Sequence, residues 1–83
     1  MTQIEKLVDR LTNNSQNVDF IDLAKVCSHY FGEPRVQGSH HIYKTPWAGD
    51  PRINIQDKNG KAKAYQVKQV LDAIEKLEDM KNG

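Results

Sequence analysis

The sequence predicts an α+β fold, a small three-stranded antiparallel sheet with helices on one face, in the order ααβββα. Two observations carry that prediction. Apolar residues recur at helical spacing near both ends of the chain, whereas the stretch between Gly32 and Gly60 breaks into short runs rich in aromatic and β-branched residues. At 83 residues the chain suffices for one domain and not two, so these elements must share one compact core.

Ile4, Leu7, Val8 and Leu11 recur at i, i+3, i+4 and i+7, the stripe of an amphipathic helix over about residues 3–12, with Thr2 placed to cap it. Thr12 to Asn17 is a polar run whose side chains compete for backbone hydrogen bonds, which predicts a loop. Asp19 then reads as a cap, with Asp22 three residues on as an acidic capping box. Phe20, Leu23, Ala24, Cys27, Tyr30 and Phe31 share one face of a second helix over about 20–31, which Gly32 ends. Strands follow at about 34–37, 40–45 and 52–56, the last two joined by a loop from Pro46 to Pro51 that carries Trp47. Asp57-Lys58-Asn59-Gly60 is a turn signal. Val67, Val70, Leu71, Ile74 and Leu77 mark a closing helix over about 64–79, with Asn82 and Gly83 expected to fray. Helices packed on one face of the sheet are the economical arrangement.

No apolar stretch approaches the roughly 20 residues that span a bilayer, and the first residues lack the basic-then-apolar order of a signal peptide, so a cytosolic protein is expected. Cys27 is the single cysteine, which excludes an internal disulfide and a site built from several thiolates. Net charge is +1, but it is unevenly spread: residues 34–63 hold six basic and two acidic side chains, between two segments in which acid prevails. A basic middle suits an anion such as a phosphate backbone, and equally suits a solvated hairpin.

The chemistry-bearing feature is Gly38-Ser39-His40-His41, a tight turn delivering two histidines onto a strand. Side chains alternate along a strand, so at most one histidine faces the helices. Histidine titrates near neutrality, and an exposed one can take a proton from a ribose hydroxyl without a metal. The same pair also fits two ordinary strand residues. Cys27 reads as a packed thiol and His29 as a charge suited to a helix end. Tyr43 and Tyr65 read as core or rim, and Trp47 as cover or a protein contact.

Phe20-Ile21-Asp22-Leu23 leading a helix, Gly32, Gly38-Ser39-His40-His41-Ile42-Tyr43-Lys44 with Pro46, and Lys61 before Tyr65-Gln66-Val67-Lys68-Gln69 together resemble the HicA family over about residues 20–76. These are small bacterial toxins of toxin–antitoxin pairs in the stress response. The resemblance implies a fold similar to double-stranded-RNA-binding domains over residues 19–80, with residues 1–18 as a helical extension. It implies a cytoplasmic endoribonuclease that cuts messenger RNA with no metal or other cofactor, and a HicB-like antitoxin as protein partner. His40, the first histidine of the Gly-Ser-His motif, is then the catalytic candidate. Gly38, Ser39, Lys44, Lys61 and Lys63 are candidates for holding RNA phosphate, the last two just before a helix whose free amides favour anions. Many members carry a proline and a second histidine at the end of the third strand, where this sequence has Gln56 and Asp57. The residues also fit a module that holds structured RNA by shape without cutting it, or a degenerate member that acts by binding another chain.

Overall fold

A computed structural model describes residues 3–46 and 52–82; Trp47, Thr2 and Gly83 lie outside the described residues. The elements are α1 (Gln3–Asn13), α2 (Phe20–Phe31), β1 (Arg35–Gln37), β2 (His40–Tyr43), β3 (Ile53–Gln56) and α3 (Ala64–Asn82), so the α+β fold and the order ααβββα are as predicted. The strands form one antiparallel sheet in the order β1-β2-β3.

Five bounds differ from expectation: α1 ends at Asn13 and β3 starts at Ile53, each one residue off, and three others have a structural reason. Lys44 and Thr45 lie beyond β2, because pairing with β3 stops at Tyr43 opposite Ile53 and leaves later residues without a ladder partner. Pro34 precedes β1, since pairing with β2 begins at Arg35 opposite Ile42 and proline brings no N–H to a ladder. α3 carries on to Asn82, the residue expected to fray, rather than ending near residue 79: buried Leu77 anchors its late turns, and the following Met80 and Lys81 are good helix formers.

The predicted cap of α2 is also corrected. Asp19 stands at the N-cap with extended backbone (φ −69°, ψ 135°), but its side chain makes no cap bond. Its carboxylate instead accepts from Lys61 Nζ at 2.6 Å, while its carbonyl accepts from the Asp22 and Leu23 amides. A short backbone ladder explains the diversion. Phe20 N–H donates to the Gly60 carbonyl and Ala62 N–H to the Val18 carbonyl, each at 2.9 Å, so Asp19 and Lys61 face each other. The turn at 57–60 feeds this ladder. Asn59 and Gly60 both have positive φ (54° and 82°), the type I′ requirement, and Gly60 N–H donates to Asp57 Oδ1 at 2.7 Å.

One core joins everything. Leu11 of α1, Leu23, Val26 and Cys27 of α2, Tyr43 and Ile55 of the sheet, and Val67 and Val70 of α3 are each fully buried. α1 packs on both α2 and α3, so the segment expected as an extension shares this core. The Tyr43 hydroxyl donates to the Ala24 carbonyl at 3.4 Å, tying β2 to α2, and burial raises its pKa above the usual phenol value.

Candidate functional site

Strand alternation and register sort the sheet into two faces. Residues directly opposite one another share a face. His41, Tyr43, Ile53 and Ile55 point to the helices, and the last three are buried. His40, Ile42, Asn54 and Gln56 point the other way, joined on β1 by Arg35 opposite Ile42 and Gln37 opposite His40.

The two histidines therefore separate as alternation requires. His41 meets the Phe20 ring edge-on, centroids 4.8 Å apart, and its Nδ1 is buried with no hydrogen-bond partner among the described residues. His40 is on the outer face, where its Nδ1 lies 3.0 Å from Asn54 Oδ1.

The turn that starts β2 is two residues long, with Gln37 paired to His40 across it. Gly38 has φ +59° and Ser39 does not have positive φ, the pattern of a type II′ hairpin turn, which needs glycine first. Ser39 is then used twice. Its carbonyl accepts from the Asp57 amide at 2.9 Å, and its hydroxyl accepts from Gln56 Nε2 at 3.4 Å. The Gln56 amide, on the outer edge of β3, donates to Oε1 of Gln66, a polar side chain buried in the first turn of α3. Gln66 Nε2 reaches the Tyr65 hydroxyl at 3.5 Å. A chain of polar contacts thus runs from α3 through Gln56 to the turn that presents His40.

The cations named from the sequence divide. Lys44 is exposed, one residue past the end of β2. Lys61 is engaged by Asp19, and that lysine holds the Asp19 carboxyl below its usual range, first through the hydrogen bond and then through charge. Lys63 sits before α3 with Nζ 6.0 Å from the Tyr65 ring centroid, and its carbonyl accepts from the Gln66 and Val67 amides. Lys61 and Lys63 thus belong to the α2–α3 junction, while Gly38, Ser39, His40 and Lys44 belong to the hairpin. Sequence reasoning missed Arg35 and Asn54, both on the His40 face. Arg35 was legible only as one cation among six, and Asn54 as the polar position of Ile53-Asn54-Ile55.

Other sequence-named residues lie elsewhere. Cys27 is fully buried, and burial raises its thiol to about 12. His29 packs edge-on against Tyr30 and borders a groove of about 650 Å³. That groove runs over α2 toward Pro34 and the inner face of β2, and it takes in His41 but not His40. Among the described residues no group of three His, Cys, Asp or Glu side chains is placed to hold a metal ion. No described helix is long and apolar enough to cross a membrane.

No protein-family model, curated protein or solved structure matches this chain.

Proposed function

We propose that this chain is a HicA-like toxin, an endoribonuclease that cuts messenger RNA in the cytoplasm and is neutralised by a HicB-like antitoxin. One observation carries the reading: His40 stands at the start of β2 on the face of the sheet turned away from the helices, with Arg35 on that face and exposed Lys44 one residue past the strand. An imidazole so placed can meet a macromolecular substrate that no cleft of an 83-residue chain would enclose.

In the proposed reaction His40 takes the proton of a ribose 2′-hydroxyl. The 2′-oxygen bonds to the adjacent phosphorus, and the bond to the 5′-oxygen breaks as that oxygen takes a proton from water. The products are a 2′,3′-cyclic phosphate and a 5′-hydroxyl end. A base of this kind supplies about 10²- to 10⁴-fold; the rest comes from positioning and from cations set against the phosphate, for which Arg35 and Lys44 are suited.

The test is cleavage of a labelled messenger RNA by the purified chain in excess chelator. The expected products carry 2′,3′-cyclic phosphate ends, and His40→Ala loses at least ~100-fold in rate with an unchanged circular dichroism spectrum. Full activity in that variant removes His40 from the reaction. Salt-dependent retention of intact RNA by both proteins supports the binding-module reading instead.

A further inference from the structure

We infer that Asn54 is a positioning residue for His40: its side-chain oxygen holds the proton of the ring on Nδ1 and so leaves the Nε2 lone pair as the base. The inference rests on the endoribonuclease reading for its catalytic meaning, but its structural content stands without it.

The contact is a consequence of the register. His40 is directly opposite Gln56, and Asn54 is opposite Ile42, which places Asn54 diagonally across from His40 on the outer face. Diagonal neighbours are within reach of long or aromatic side chains, and here Nδ1 and Oδ1 are 3.0 Å apart. A carboxamide oxygen can only accept, so the ring nitrogen facing it must carry the hydrogen. In neutral imidazole the other nitrogen then has the lone pair. Were the amide turned to face the ring with its nitrogen, the tautomer would be reversed and Nε2 would hold a proton it could not use as a base.

The surroundings fix both partners. Ile53 and Ile55, on either side of Asn54, are buried against the helices, so β3 cannot rotate to withdraw it. Gln66 clamps the Gln56 amide at 2.9 Å, which holds the end of β3 in register, and Gln56 reaches Ser39 in the turn before His40. His40 is thereby flanked by two carboxamides with different tasks. Gln56 and Ser39 set the backbone, and Asn54 sets the ring. As the ring takes the substrate proton on Nε2, the Nδ1–H to Oδ1 bond persists and strengthens, because a donor that becomes charged makes a stronger bond.

The experiment uses the ¹⁵N-labelled full chain. Long-range proton–nitrogen spectra of the histidine rings, recorded above the pH at which they deprotonate, report which nitrogen carries hydrogen. The expected result is protonated Nδ1 and bare Nε2 at His40, reverting toward the Nε2–H form of free imidazole in Asn54→Ala. Asn54→Asp keeps the acceptor and adds a charge, so it should retain Nδ1–H and raise the pH at which His40 titrates by at least ~1 unit, since a nearby carboxylate favours the imidazolium. In cleavage assays Asn54→Ala should lower kcat by ~10- to 100-fold with little change in KM, and Asn54→Asp should restore part of it with the rising limb of the pH profile moved up. Protonated Nε2 in the parent chain, or an unchanged tautomer in Asn54→Ala, overturns the inference. A parent chain that shows the expected tautomer but cuts no RNA sinks the endoribonuclease reading and leaves the Asn54 contact standing.

Discussion

His40 and His41 are neighbours in the chain, yet one touches Asn54 on the sheet face turned away from the helices and the other touches Phe20 on the opposite face. The difference is carried by strand parity, which the sequence contains, and by the choice of which parity faces the helices, which depends on Ile53 and Ile55 across the sheet. Substitution should expose it. His41→Ala removes a ring packed on Phe20 and should lower the melting temperature while leaving the Asn54–His40 contact in place. His40→Ala loses one exposed hydrogen bond, so it should cost no more than about 1 kcal/mol of stability, and on the proposed reading it should remove activity. Thermal denaturation beside the cleavage assay separates the two, and equal thermal losses would argue against this division of faces.

Two further residues allow predictions of their own. Cys27 is fully buried and its thiol is held up at about 12, so it should ignore a thiol reagent at pH 8 until denaturant is added. Rapid labelling of the native chain would contradict its place in the core. The Asp19–Lys61 pair is more than half exposed on both sides, so screening keeps its contribution small. Its sign is nonetheless defined. The Asp19 carboxyl is depressed in the folded state, so the stabilisation is present above the ordinary carboxylate pKa and fades as pH falls through the lower folded value. Asp19→Asn should therefore melt slightly below the parent at neutral pH and converge with it in strong acid.

At the scale of elements, α1, α2 and α3 were legible because each shows an apolar stripe at helical spacing. The strands were legible as regions and at the ends marked by Gln37, His40 and Gln56, but not at every bound: Lys44 and Thr45 continue the local pattern of β2, and only the arrival of Ile53 opposite Tyr43 ends it. The capping role expected of Asp19 failed for the same kind of reason. Local spacing favours a cap, but a ladder with residues 60–62, more than forty positions away, brings Lys61 to the carboxylate first. Asn54 escaped notice because nothing near it in the chain marks it; its meaning comes from a partner 14 residues away. α1 provides the test at this scale. Leu11 is buried against α2 and α3, so Leu11→Ala should cost about 2–5 kcal/mol in denaturant unfolding. A loss below about 1 kcal/mol would show α1 to be an appendage rather than part of the core.

For the molecule as a whole, the sequence placed an excess of positive charge in the middle third, and the fold then divides it. Arg35 goes to the His40 face and Lys44 stands exposed one residue past β2, while Lys61 is turned to Asp19 at the α2–α3 junction. With a net charge of only +1, the proposed RNA binding would gain little from long-range attraction, so affinity should depend on the few cations that reach phosphate. Each such contact with single-stranded RNA contributes a slope of about −0.7 to a plot of log K against log salt. Arg35→Ala and Lys44→Ala should each flatten that slope by about this amount and weaken binding at low salt more than at high salt. Lys61→Ala should leave the slope unchanged, because its partner is already a carboxylate of the same chain. Filter binding of an uncleavable RNA carrying 2′-deoxy linkages, measured over a salt series with His40 intact, reads all three variants without interference from cleavage. A loss in Lys61→Ala equal to that in Arg35→Ala would move the proposed RNA path away from the His40 face toward the start of α3, where Lys63 and Tyr65 stand.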